Sequence, residues 1–299
     1  MHDLFCNLPA ADVAARAILP AHELGAYEAL WTRKGTSFKS LAATFSEHPG
    51  SLPSDFVSNA DACQYSRMAL DGIRAAGIEH IGIRVHGDGD YPATLRDAVH
   101  PVALLYFLGR WNLVASRCVA IAGARHPSDA GVRRAATLTR QFVKAGFTVV
   151  SGLALGIDTV AHETAIDAGG QTIAVLGTPI TGCYPSANRR LQQRIAEQFL
   201  AISQVPLIRH SRQSLQRNRL FFRERNATMS ALAEAVVIIE AGNTSGSLIL
   251  GRNALLQKRK LFILDSCFRH PDLTWPARFV ERGAVRIADF DEIWVHVAA

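Results

Sequence analysis

Three side chains able to do acid–base or nucleophilic chemistry fall within one short stretch, VVSGLALGIDTVAHETA, residues 149–165. Ser151 ends a β-branched run. Asp158 and His162 stand four apart, the spacing at which two side chains meet on one face of a helix. A hydroxyl, a carboxylate and an imidazole are the parts of a nucleophilic site. The same stretch holds Gly152 and Gly156, where a backbone can come close to a ligand and the amides opening the next helix attract anions. Two chemistries therefore compete: bond breaking by a triad, or the cradling of a phosphate.

Motif tests favour the cradle. Ser151 is not in a G-x-S-x-G elbow. His162-Glu163 begins like H-E-x-x-H, but position 166 is Ile, so the zinc pair fails and no metal is expected. Asp158, just after a glycine turn, is expected to cap the helix, and His162 to brace it. No lysine follows Gly156 as a P-loop requires, and no clean G-x-G-x-x-G follows the first strand of this region. Nucleotide hydrolysis and dinucleotide binding are disfavoured, and no cofactor is expected.

These residues need a scaffold. From Cys118 onward, CVAIAG, FTVVSG, TIAVLG, AVVIIEAG and KLFILD are short β-branched segments separated by helix-length stretches. That alternation predicts right-handed βαβ units and a doubly wound, mostly parallel α/β sheet, Rossmann-like, with a core over 113–290 in a domain over 86–299. PVALLYFLG is a further buried strand candidate. Residues 1–85 carry apolar residues at helical spacing in AHELGAYEALWTRKG and ACQYSRMALDGIRAAG, and are expected to form a small helical N-terminal domain. Ligands of open α/β sheets bind beyond the strand carboxyl ends. Here those ends read GARHPSDAG, SGLALGID, GTPITGCYPS and EAGNTSGS, which points to one phosphate-lined pocket.

Charge and cysteine content set the setting. The 299 residues carry a formal net charge of +6, compatible with an anionic partner without proving one. Five scattered cysteines, including Cys6, form no C-x-x-C pair, as expected of reduced thiols in a cytoplasmic protein. The N-terminus does not read as a signal peptide, and no run is long enough to cross a membrane. Basic residues concentrate in PLIRHSRQSLQRNRLFFRERN, residues 206–226, where six arginines surround Leu220, Phe221 and Phe222. Arginine with aromatic rings is the composition that holds single-stranded nucleic acid. A solvated face or a protein interface fits that composition equally well.

The ordered series DYPATL, VAIAGARHPSDAG, VVSGLALGIDTVAHETAI, GQTIAVLGTPITGCYPSANRRLQ, FFRERN, VVIIEAGNTSGSLI and RGAVRI resembles the DNA-processing protein A (DprA, also called Smf) family, of the SLOG type of Rossmann fold. The resemblance implies single-stranded DNA binding without catalysis, a homodimer, and loading of a RecA-type recombinase in natural transformation. It implies a DNA or phosphate site at Gly123, Arg125, Ser128, Ser151, Gly152, Gly156, Phe222, Arg223, Arg225, Asn226, Ser245, Gly246 and Ser247. Asp158, His162 and Glu240 would support that site.

The chain departs from the family pattern in places. Ala124 replaces the usual serine, Ser186 and Ala227 stand where basic residues meet DNA, and Arg223 replaces proline. Leu264-Asp265-Ser266 replaces Val-Pro-Gly, and Ser203-Gln204-Val205-Pro206 replaces the S-E-x-P segment. No segment answers to the winged-helix domain that some members append. The departures imply a specialised paralogue. One alternative is an antitoxin-like regulator of an operon-encoded phosphoribosyltransferase-like toxin in phage defence, with the arginine run as its docking surface. A third is a LOG-like nucleotide-cleaving enzyme, disfavoured because P-G-G-x-G-T-x-x-E is absent.

Overall fold

The computed structural model describes residues 18–298; Cys6 and the rest of the extreme N-terminus lie outside the described residues. Three helices come first: α1 (Pro20–Thr32), α2 (Phe38–Glu47) and α3 (Asn59–Ala75). Strand β1 (Gly82–Val85), the single turn α4 (Ala93–Arg96) and strand β2 (Leu104–Gly109) lead into the alternating region. There follow β3 (Cys118–Ala122), α5 (Asp129–Lys144), β4 (Thr148–Ser151), α6 (Ile157–Asp167), β5 (Gln171–Leu176), α7 (Arg189–Gln198) and β6 (Leu200–Ser203). The chain continues through α8 (Leu207–Arg212), α9 (Leu215–Leu232), β7 (Ala235–Ile238), α10 (Ser247–Leu256) and β8 (Lys260–Leu264). It closes with α11 (Trp275–Val280), β9 (Val285–Ile287) and α12 (Phe290–Val297).

The nine strands among the described residues form one sheet in the order β1-β2-β6-β5-β4-β3-β7-β8-β9. The seven strands from β6 to β9 in that order pair in parallel, while β1 pairs with β2, and β2 with β6, antiparallel. The expected doubly wound, mostly parallel sheet is present. The two antiparallel strands carry it back to Gly82, ahead of the core expected from residue 113. Alternation along the central strands explains both covered faces. Val119 and Ile121 of β3 pack with Phe142 of α5 and Ile157 of α6, whereas Cys118, Ala120 and Ala122 join the core on the other face. The chain runs from β3 outward to β6 and then returns to β7 on the other side of β3. The topological switch point therefore lies between β3 and β7.

Polar caps fix where helices begin. Ser37, Ser58, Ser128, Ser214 and Asp289 each accept an amide of the first turn of α2, α3, α5, α9 and α12. One buried carboxylate then ties the N-terminal helices to the sheet. Glu28 of α1 is fully buried and accepts the Tyr106 hydroxyl at 2.6 Å, the Leu207 amide at 2.7 Å and the Ile208 amide at 3.0 Å. Burial pushes its carboxyl pKa up, and the three donors pull it the other way. Beside it, the Tyr27 hydroxyl donates to the Gln204 carbonyl at 2.8 Å. No helix among the described residues is long and apolar enough to cross a membrane.

Glu28→Ala leaves two amides and a phenol without a partner, at about 1–3 kcal/mol for each buried group. Thermal unfolding should show a melting temperature roughly 5–10 °C lower. A shift under about 1 °C would mean that water reaches those donors.

Candidate nucleic-acid interface

The carboxyl ends of the strands are largely occupied by the protein's own groups. At the switch point the Glu240 carboxylate accepts the Ser128 amide at 3.1 Å and the Ser128 hydroxyl at 2.8 Å. A carboxylate thus sits where the opening of α5 would hold an anion, and Ser128 is a helix cap with its hydroxyl engaged, not a free phosphate ligand. Gly123 is packed against Ile157 and the Glu240 carbonyl, so it is a packing glycine. The Ser151 hydroxyl is buried and donates to the Ile121 carbonyl at 2.7 Å, bracing β4 against β3. Ser245 and Ser247 share a hydrogen bond at 2.7 Å, and the Gly246 carbonyl accepts from Asn226 at 3.1 Å. Expected phosphate contacts at Gly123, Ser128 and Ser151 are therefore corrected to internal ones, and Asn226 binds α9 to the turn before α10.

Arg225 is corrected as well. It does not face solvent: it is 6% exposed, and its Nη1 donates to the Val175 carbonyl at 2.7 Å and to the Gly152 carbonyl. Its Nε reaches Asn226 Oδ1 at 3.1 Å. Burial lowers its pKa and the charge of Asp158 opposes that shift. Asp158 holds the other side of the same residue, accepting the Gly152 amide at 3.2 Å and the Ala154 amide at 3.4 Å. Burial pushes the Asp158 carboxyl up, while Arg225 pulls it down. Asp158 therefore supports the loop without being the N-cap; that place belongs to Gly156, at φ +77°. Gly152 is held at both its amide and its carbonyl. A Cβ there would fall 1.9 Å from the guanidinium, so only glycine lets the arginine in.

The loop 152–156 carries its own strain. Leu153, buried, sits at φ +58°, a left-handed conformation costing a branched residue about 1 kcal/mol or more. Asn188, a buried residue from the YPSAN segment, offsets it. Its side-chain amide donates to the carbonyls of Leu153 (3.0 Å) and Ala154 (3.3 Å) and to the Thr159 hydroxyl (2.9 Å). Asn188 was not among the residues expected at the site; its signal was the Asx side chain just ahead of α7.

The outer edge of this network borders solvent. Arg125, Gly152, Ala154, Leu155, Tyr184, Pro185, Phe222 and Arg225 line a shallow groove. Its enclosed part is about 40 Å³, too small to swallow a base, so any ring-bearing ligand lies across the rims. Tyr184, 55% exposed, meets Phe222 edge to face with centroids 5.4 Å apart. Phe222 leans on the bare backbone of Gly177, where a Cβ would fall 2.4 Å from the ring. Arg125 and Arg223 are exposed beside them. Phe221, by contrast, points inward and packs edge to face on Trp31 and Phe38. The arginine–aromatic run is thus half core and half surface.

The triad is absent as geometry. Ser151 points to Ile121, Asp158 to loop amides, and His162 Nδ1 to the Thr172 hydroxyl at 2.7 Å. Thr172 in turn donates to the Val149 carbonyl at 2.8 Å. The imidazole is fully buried and its Nε2 has no partner. Burial, with the Arg225 charge acting the same way, pushes its pKa down to about 3.

A mostly parallel, doubly wound sheet defines the class, a Rossmann-like fold, and its shallow cationic and aromatic groove lies beyond the strand ends of β4 and β5, away from the switch point. Residues 82–298 match the family described as DNA recombination-mediator protein A, and the chain belongs to it. It is similar to protein Smf of Synechocystis, 39% identical over 183 residues, which is 60% of this chain and 44% of that protein. The chain thus spans less than half the length of that relative. DNA processing protein A of Streptococcus pneumoniae has the same fold, with a TM-score of 0.72 at 24% identity over 93% of this chain and 98% of that one. DNA processing protein A of Helicobacter pylori, 26% identical with a TM-score of 0.62, covers 73% of this chain and 96% of its own; that protein binds single-stranded DNA.

His162 yields a pH prediction. Its folded pKa lies below the unfolded value of about 6.5, so the unfolded chain binds more protons between the two, and stability is lost as pH falls through that window. From pH 7 to pH 5 the loss from this one group is about 2 kcal/mol. Urea unfolding at both pH values should show that loss in the wild type and a smaller one in His162→Asn; equal losses would place the imidazole in contact with water.

Proposed function

We propose that this chain binds single-stranded DNA, without catalysing a reaction on it, across the groove rimmed by Arg125, Tyr184 and Phe222. The observation that carries this reading is one groove lined by the exposed Arg125 guanidinium, the exposed Tyr184 ring and the half-buried Phe222 ring. Rings take bases of any sequence by stacking and arginine takes the phosphates. Arg223, next in sequence to Phe222 and exposed, adds a second cation nearby. The kinship with the Helicobacter pylori protein supports the same substrate. Delivery of the strand to a RecA-type recombinase, action as a homodimer in the cytoplasm, and a role in DNA uptake belong to this proposal by family membership. Docking of a toxin on the arginine run is the weaker reading, because Phe221 and Arg225 of that run are buried.

Fluorescence anisotropy with a labelled 20-nucleotide oligo-dT tests it. Phe222→Ala should weaken binding by about 1–3 kcal/mol, roughly 5- to 150-fold. Log affinity should fall with log salt at a slope of about −0.7 per phosphate neutralised. Binding that ignores salt, or that survives Arg125→Ala with Phe222→Ala unchanged, would overturn the proposal.

A further inference from the structure

A second and larger cavity lies at the other end of the same stretch of chain. Thr32 at the end of α1, Arg209 and Arg212 of α8, and Gln213, Ser214 and Arg217 at the start of α9 enclose about 480 Å³. That volume is in the range of small-ligand sites, roughly 300–1,000 Å³, and far exceeds the space between Tyr184 and Phe222.

Three guanidinium groups share this cavity, and among the described residues no carboxylate pairs with any of them. Arg209 is anchored, its Nε donating to Gln213 Oε1 at 3.1 Å and its Nη1 to the Trp31 carbonyl at 3.4 Å. Arg212 and Arg217 are exposed and have no side-chain hydrogen bond among the described residues. Like charges gathered around one cavity repel, and an anion bridging them removes that cost. The planar fork of arginine matches phosphate oxygens in pairs.

The walls are set before any ligand arrives. The Gln213 amide donates to Asn218 Oδ1 at 2.6 Å, and Asn218 donates to the His210 carbonyl at 3.1 Å. Phe221, one turn along, is locked against Trp31 and Phe38. Arg209 and Gln213 are thereby pre-set and lose less freedom on binding.

We propose that this cavity is a second phosphate-binding site, in which Arg209, Arg212 and Arg217 hold a multiply charged phosphate group. The chemistry is the same for a free polyphosphate and for the backbone of a strand running along α9 from Phe222, about 8 Å away along the helix axis. The proposal does not depend on the groove at Phe222.

Isothermal titration calorimetry of the full chain with inorganic pyrophosphate tests it, beside dT20 anisotropy on the same samples. Wild type and Phe222→Ala should each bind one pyrophosphate. Arg212→Ala with Arg217→Ala should bind it at least tenfold more weakly at an unchanged melting temperature. An Arg212→Gln/Arg217→Gln pair, which keeps side-chain bulk, should behave alike. If dT20 displaces pyrophosphate and its salt slope falls by about 1.4 in the double variant, two phosphates at about 0.7 each, the phosphates are those of a strand. If dT20 does not compete, they belong to a free ligand; both results uphold the site. Pyrophosphate binding that persists in both double variants overturns it, as does absence of pyrophosphate binding together with unchanged dT20 affinity in them. Loss of dT20 binding in Phe222→Ala alone speaks only to the first groove.

Discussion

Between β4 and β5 a buried guanidinium takes the carbonyls of Gly152 and Val175, and much of the shape of the groove above follows from that placement. An arginine cannot be neutralised at ordinary pH, so its burial is tolerable only where oxygens converge on it. Here they are backbone carbonyls at the ends of two adjacent strands, with the Asp158 carboxylate as the nearby counter-charge. The arrangement dictates a glycine at 152, since a Cβ would occupy the guanidinium's position. It also dictates the course of the next residues, because Asp158 on the Gly152 and Ala154 amides and Asn188 on the Leu153 carbonyl hold a loop in which Leu153 is left-handed. Removing one partner of such a set costs more than any surface pair, because it leaves the others buried and unanswered.

The consequence is that the groove over these strand ends is a surface and not a crevice. The usual ligand position of a doubly wound sheet, at the switch point, is closed by Glu240 on Ser128. The open cationic and aromatic groove lies one strand over, on the outward side of the loop that Arg225 supports. Helix α9 serves both layers at once. Phe221 and Arg225 face inward to the core and the strand ends, while Arg223 is exposed and Phe222 lies half-buried on the groove. The N-terminal helices contribute by stiffening this helix, through Trp31 and Phe38 on Phe221, and by the Glu28 carboxylate that caps α8.

Most of the fold was legible in the sequence because β-branched runs separated by helix-length stretches leave few other solutions. The strand LAIS, β6, escaped because four residues directly after a helix carry too little period to read. The site was only half legible. A glycine beside a strand end signals close approach, but the pattern does not say whether a phosphate or the protein's own guanidinium approaches; at Gly152 it is the guanidinium. Arg225 read as a DNA contact because its oxygen partners are backbone carbonyls 73 and 50 residues earlier, which no local motif announces. Ser128 and Ser151 failed for a related reason: a hydroxyl at a strand end satisfies a cap or a neighbouring carbonyl as readily as a ligand. Arg125 and Phe222, which line the groove, could be picked out without an unseen partner. Tyr184 joined them only through the fold.

If the account is right, the two arginines closest to the loop do different work, and the salt dependence of single-stranded DNA binding separates them. Dissociation constants for dT20 measured across a salt series, with melting temperatures, are needed for wild type, Arg125→Gln and Arg225→Gln. Arg125→Gln should make the slope shallower by about 0.7 at an unchanged melting temperature. Arg225→Gln should lower the melting temperature by several degrees and, in the folded protein, keep the wild-type slope. A shallower slope for Arg225→Gln at an unchanged melting temperature would put that guanidinium on the phosphates and contradict the structure's central assignment.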